Sequence, residues 1–195
     1  MNAGLKGKVV FFATGNVHKF HEARAVLAQE GIAVGMLRVK AVEIQSDSLS
    51  EIAAASAIDA FNRCHLPLIV EDAGLFVEAL KGFPGPYAAY VYKTVGNKGL
   101  LKLMENQPNR HATFRSAIAY CNSTNKAHIC FHGEATGQIT TQERKGDRSA
   151  FGFDPIFQPE GSNKTFAEMT LEEKNGFSHR ARALLQFAHW YKSTI

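Results

Sequence analysis

The chain has 195 residues, of which 45% are hydrophobic and 21% charged, and its formal charge is +4. That balance belongs to an ordinary globular protein long enough to bury a full core, and no apolar run reaches membrane-spanning length. The start carries no secretory pattern, and the cysteines, Cys64, Cys121 and Cys130, are odd in number with no C-x-x-C pair, so reduced thiols and a cytoplasmic setting are expected. The mild basic excess suits a phosphate, nucleotide or nucleic acid, but the basic residues are scattered among acids and form no tract.

Residues 8–13 read as a first strand. Thr14-Gly15-Asn16-Val17-His18-Lys19 turns into a helix reaching about residue 30, with Phe20, Ala23 and Leu27 on one face. A small polar turn of this kind aims backbone N–H groups at an anion, and Lys19 adds a point charge in the first turn. It is not a Walker A loop, and taken alone such a turn is more often a plain connection than a phosphate site. His18 and His21 read as surface residues, with no third zinc ligand nearby. Residues 33–44 are extended and lead into Val42-Glu43-Ile44-Gln45. Alternation sets Glu43 on the face opposite its neighbours: solvated on an outer strand, a candidate metal carboxylate on an inner one.

Ser48-Leu49-Ser50-Glu51 is a capping box that opens a helix to about Cys64, with Ile52, Ala53, Ala57, Ala60 and Phe61 along its core stripe. The next strand, 66–71, runs into Glu71-Asp72-Ala73-Gly74. Adjacent strand residues face opposite sides, so both acids serve one site only if the chain turns, and Gly74 supplies the means. Carboxylates at the end of a central strand lie where open α/β sheets bind ligands, which favours a metal or catalytic role over a simple cap.

The β-α-β-α-β order predicts an α/β fold. Gly82-Phe83-Pro84-Gly85-Pro86-Tyr87 is a rigid turn, 88–93 and 97–105 are helical, and 112–122, 127–135 and 138–143 alternate as three strands of an antiparallel ribbon. These pieces suggest a second lobe within about 82–145 of a single domain, 1–195. In the last third, Ser178 caps a final helix whose inner stripe is Ala181, Leu184, Leu185 and Ala188. His179 and Arg180 then stand in its first turn, against the helix dipole. They are either exposed helix residues or groups that meet an acidic or carbonyl-bearing ligand.

Taken together, several motifs resemble the inosine/xanthosine triphosphate pyrophosphatase family. They are Thr14-Gly15-Asn16 with Lys19, Glu43-Ile44-Gln45, Val70-Glu71-Asp72 with Gly74-Leu75, and Gly82 with Pro84-Gly85-Pro86. Phe151-Gly152-Phe153-Asp154-Pro155-Ile156-Phe157, Ala167-Glu168-Met169, Glu173-Lys174-Asn175 and Ser178-His179-Arg180 complete the set. Each is weak alone, whereas the ordered set, from Phe12 to Leu184, is specific. The resemblance implies a two-lobed α/β fold with a long central mixed sheet flanked by helices and an active-site cleft between the lobes. It also implies a homodimer, a need for Mg²⁺, and hydrolysis of ITP, dITP and XTP to the monophosphate and pyrophosphate.

By the same resemblance, Thr14, Gly15, Asn16 and Lys19 hold the phosphates. Glu43, Asp72 and Glu71 hold the metal, and Asp72 also orients or deprotonates the water that attacks the α-phosphorus. Phe153 flanks the base, while Asp154, Lys174, His179 and Arg180 address its edge. Two departures stand out: Ala73, where many relatives have a hydroxyl, and Ser56, near which many have a lysine. Lys93, Lys98 and Lys164 are candidates to compensate. The alternatives are a pyrophosphatase of other modified nucleotides and a nucleic-acid-binding module without turnover. The module leaves the acids unexplained, so neither nucleic acid nor membrane is an expected partner.

Overall fold

The computed structural model describes residues 8–122, 128–146 and 151–194. Strand β1 (Lys8–Ala13) passes through the Thr14–Asn16 turn into α1 (Val17–Gln29), and β2 (Ile32–Leu37) returns alongside it. Helix α2 (Leu49–Cys64) leads into the long β3 (Leu68–Val77). The order continues through β4 (Pro84–Gly85), α3 (Ala88–Thr94), α4 (Gly96–Leu103), β5 (His111–Cys121) and β6 (His128–Ile139). It closes with β7 (Phe157–Pro159), α5 (Leu171–Phe177) and α6 (His179–Thr194).

All the strands share one sheet, in the order β2-β1-β3-β5-β6-β7, with β4 also against β3. β1, β2 and β3 are parallel because helical crossovers join them, whereas β3, β5, β6 and β7 are antiparallel neighbours. The expected mixed sheet flanked by helices is therefore present. α1 and α6 cover one face through Ala23, Val26, Leu27, Leu184 and Phe187, packed on Val10, Phe12, Ile69 and Ile118. On the other face Ala53, Ala57, Ala60 and Phe61 of α2 pack on Leu68, Val70, Ala117 and Ala119. A separate core gathers Leu75, Val77 and Phe114 with Val91, Leu100, Phe157 and Phe166. It draws on residues outside 82–145 as well as inside, since β7 pairs beside β6 and Phe166 packs with it.

Three expectations are corrected. The second strand ends at Leu37, and Glu43 lies on irregular chain beyond it. Residues 128–139 are one strand, so Gln138 continues β6, and the third antiparallel strand is β7. The start of the expected second ribbon strand, at Ala127, lies outside the described residues. Finally, β3 runs straight through Glu71, Asp72 and Gly74, each paired in register with β5. No turn brings the two acids to one face.

That straight course creates the feature on which the site depends. β5 occupies one edge of β3 along its whole length. On the other edge β1 pairs only with Leu68 and Ile69, and β4 only with Leu75 and Phe76. Residues 70–74 thus face a gap between two strands, with both acids inside it. Gly74 serves close approach rather than turning, since a Cβ there would lie 2.5 Å from the Gly85 carbonyl oxygen and 2.8 Å from its carbon. Gly74→Ala should therefore cost about 1–3 kcal/mol of unfolding free energy as β4 is forced off β3. Urea denaturation measures it, and an unchanged midpoint would show that β4 is free to move.

Candidate active site

Glu71 and Asp72 leave the same strand toward opposite faces and meet opposite fates. Glu71 is buried on the α6 side, where Arg180 Nε lies 3.1 Å and Lys19 Nζ 2.8 Å from its oxygens, and Ser116 Oγ donates to it at 2.8 Å. Burial opposes its charge, but Arg180 and then Lys19 outweigh that and hold its carboxyl well below the usual range. Lys19 also donates to the Glu71 carbonyl at 3.2 Å, capping a backbone acceptor in the gap.

Asp72 faces the other way, and its Oδ2 is buried without a hydrogen-bond partner. Burial, opposed by Lys19 and reinforced by the negative charges of Glu71 and Glu43, pushes its carboxyl up to about 7. An orphaned carboxylate oxygen next to a second acid is a place for a cation. Hard oxygen ligands of this kind suit Mg²⁺, which binds through one or two carboxylates and keeps several waters. Among the described residues no cluster of three or more metal-ligating side chains exists.

Glu43 is exposed on a tethered loop, near enough for its charge to act on Asp72. Val42 donates its N–H to Asp59 Oδ2 at 2.9 Å, and its carbonyl accepts from Ser56 Oγ at 2.9 Å. Both anchors stand on α2, so the departure at Ser56 is a loop anchor rather than a weak substitute for a phosphate-binding lysine.

The first turn of α1 is built by its own polar residues. Thr14 Oγ1 accepts from Asn16 N at 3.1 Å, and Asn16 Oδ1 accepts from His18 N and Lys19 N at 3.0 and 3.2 Å. Thr14 and Asn16 shape the turn with their oxygens, while nothing lies within 4 Å of the place a Cβ would take at Gly15. Space for an anion thus opens above Gly15, beside Lys19.

From Glu71 the charges continue inward. Arg180 bridges Glu71 to Glu22 of α1, Glu22 accepts from Lys174 at 2.7 Å, and Lys174 donates to Asp154 at 2.6 Å. Burial would raise the Glu22 carboxyl, yet Arg180 and Lys174 hold it at about 2. For Asp154 burial wins over Lys174, and its carboxyl is raised. A cavity of about 470 Å³ between α1 and residues 151–174 is lined by Glu22, Asp154 and Lys174, with His18, Phe151 and Phe166 among its apolar and aromatic walls. The His18 and Phe151 rings stack 5.2 Å apart at 23°.

The structure therefore gathers Lys19, Asp154, Lys174 and Arg180 into one charged run, but not in the roles expected of each. Arg180 is clamped by the protein's own carboxylates, which explains a cation in the first turn of α6. Its neighbour His179 is held neutral by burial and by Arg180, and its ring stacks on Phe114 at 4.8 Å with Nδ1 unpartnered. Phe153 is not on the cavity wall: it is 3% exposed in the core with Phe114 and Phe157, edge-on to Tyr92. Gly152, at φ +56, reverses the chain so that Phe151 takes the wall instead. Glu22 was missed altogether. The available signal was an acid one helical turn after Lys19, beside Ala23 on the buried face. Lys164 pairs with Glu173 at 2.7 Å, on an exposed surface.

The raised Asp72 carboxyl has a consequence for stability. The unfolded chain loses this proton near pH 4 and the folded one near 7, so between those values the folded state binds the extra proton and stability falls as pH rises. Asp72→Asn should therefore be more stable than wild type by about 1–3 kcal/mol at pH 8 and close to it at pH 4. Denaturation at the two pH values tests this, and an equal or lower stability at pH 8 would mean that Asp72 is already compensated.

Comparison with known proteins follows the same outline. The Ham1 family model matches residues 10–190. The dITP/XTP pyrophosphatase of Methanopyrus kandleri is 50% identical over 186 residues, covering 95% of this chain and 97% of the relative. That of Thermococcus kodakarensis is 50% identical over 184 residues, covering 94% and 97%. Among solved structures, a HAM1 protein from Coxiella burnetii superimposes with a TM-score of 0.83 at 27% identity, over 96% of this chain and all of that one. The dITP/XTP pyrophosphatase of Mycobacterium abscessus gives 0.69 at 29% identity, over 92% and 98%. With half of all residues shared across nearly the full length of its relatives, the chain belongs to the Ham1 family.

Proposed function

We propose that this protein hydrolyses deaminated purine nucleoside triphosphates, ITP, dITP and XTP, to the nucleoside monophosphate and pyrophosphate. One observation carries this reading beside the family: a single run of charges leads from an aromatic-walled cavity lined by Lys174 to Lys19 and the sheet gap, where Asp72, on the opposite face of β3, keeps an unpartnered carboxylate oxygen. The first is suited to a base and the second to phosphate chemistry.

A purine fits against Phe151, within reach of Lys174. Hypoxanthine and xanthine present an oxygen at C6, which accepts a hydrogen from Lys174, whereas adenine presents an amino group that cannot. Rejection of adenine then comes from leaving buried polar groups unpaired. The triphosphate extends past the α1 turn, where Lys19 and the open space at Gly15 receive it. Asp72 with Glu43 would hold Mg²⁺, which supplies charge neutralisation for the phosphates and for the leaving pyrophosphate. Glu71 is better read as the partner that orients Lys19 and Arg180 than as a metal ligand. Asp72 would also orient or deprotonate the water that attacks the α-phosphorus. Ala73 adds no hydroxyl to this set.

A homodimer belongs to the same reading. It is supported by the exposed Phe83, Tyr87, Tyr90 and Val95 on and beside α3 and α4. Among the described residues no helix is long and apolar enough to cross a membrane.

Product analysis with ITP, GTP and ATP, each with Mg²⁺ or with chelator, tests the reaction. ITP should give IMP and pyrophosphate only with the metal, with kcat/KM at least about 100-fold above that for ATP. Orthophosphate as product, or equal turnover of ATP, would refute the reading. Sedimentation at micromolar concentration should give twice the chain mass, and a monomer there would remove the dimer.

A further inference from the structure

His18 stands beside Lys19 in the first turn of α1, and their side chains leave the helix about 100° apart. Lys19 turns to the sheet gap and meets Glu71, whereas His18 lines the cavity together with Phe151. One helical turn thus serves both the phosphate end and the base end of the site. His18 is exposed, yet its ring lies on that of Phe151, with centroids 5.2 Å apart and planes 23° off parallel. Its backbone is held, since its N–H donates to Asn16 Oδ1 at 3.0 Å. Among the described residues the ring itself makes no hydrogen bond or ion pair, so the stack alone holds it. The ring can leave Phe151 and return without breaking any other contact of that kind.

Phe151 is the wall against which the base was placed, and His18 covers one face of it. A flat ring held between two others needs about 7 Å between them, twice the ~3.5 Å contact distance of carbon atoms. The present 5.2 Å falls short of that by about 2 Å, a swing that an exposed side chain on a fixed backbone can make. We propose that His18 is a substrate-binding residue: its ring lifts from Phe151, the purine enters between the two, and the closed stack covers the base while Lys19 next to it holds the phosphates. Stacking on both faces adds to affinity but is indifferent to the groups at the base edge, because every base has a π-face. His18 then sets how tightly a nucleotide is held, and Lys174 sets which nucleotide it is.

The inference rests on the proposed placement of the base, and the test separates the two. Steady-state kinetics with ITP and ATP are compared for wild type, His18→Ala and His18→Phe, with the dissociation constant of IMP from calorimetry. The inhibition constant of tripolyphosphate, which has no base, serves as the control. His18→Ala should raise KM for ITP and the dissociation constant of IMP by about tenfold each, with the preference for ITP over ATP within about twofold of wild type. His18→Phe keeps the ring and should bind IMP within about threefold of wild type. Tripolyphosphate should inhibit all three proteins to within about twofold, because its contacts do not include the ring. Unchanged or tighter binding of IMP by His18→Ala would overturn the proposal; tighter binding would mean that the ring merely occupies the place of the base. An equal loss for tripolyphosphate would reveal damage to the α1 turn and overturn it too, as would a His18→Phe variant no better than His18→Ala. A Phe151→Ala variant that binds IMP like wild type would instead refute the placement of the base, and the sandwich with it. If wild type binds IMP but does not hydrolyse ITP, the proposed reaction fails while IMP binding still decides the role of His18.

Discussion

A buried run of alternating charge, from Asp154 through Lys174, Glu22, Arg180 and Glu71 to Lys19, is the constraint that the rest of the molecule serves. Taking such groups out of water costs several kcal/mol each, and the cost is offset only when every member keeps its partners. The fold supplies those partners from far apart: Glu71 and Arg180 are 109 residues apart, Glu22 and Lys174 are 152, and Glu22 and Arg180 are 158. α1 and α6 must pack on the same sheet face for the run to close, and the apolar cluster shared by Ala23, Leu27, Leu184 and Phe187 is what brings them there.

Within this constraint one acid is left out. Asp72 sits next to the run in sequence but on the other face of the sheet, and its oxygen lacks a partner. The paired groups hold one another in place, whereas the Asp72 oxygen is left open to a cation. The division follows from strand geometry alone, because consecutive residues of β3 must part company. The gap between β1 and β4 then lets Lys19 contact Glu71 through both its side chain and its carbonyl.

Much of the architecture is legible in the sequence because it is local. The capping of α1 by Asn16 and of α2 by Ser48 and the core stripe of α2 each follow from residues a few positions apart. The cap of α6 at Ser178 follows in the same way, through its hydroxyl to Ala181 N. What was misread depended on contacts across the fold. Gly74 looks like a turn residue, yet its lack of a side chain serves the approach of Gly85, a contact no local pattern reveals. Phe151 and Phe153 look alike on paper and flank the left-handed Gly152, yet Phe151 lines the cavity while Phe153 is buried in the core. The cation in the first turn of α6 was legible as an anomaly, but its answer, two carboxylates from α1 and β3, was not.

Hydrolysis of ITP in ¹⁸O-labelled water, followed by mass spectrometry of both products, probes the geometry most directly. With the water positioned by Asp72 at the α-phosphorus, the label should appear in IMP and not in pyrophosphate. Label in pyrophosphate would place the attack at the β-phosphorus, and the carboxylate in the sheet gap would not be the group that prepares the water.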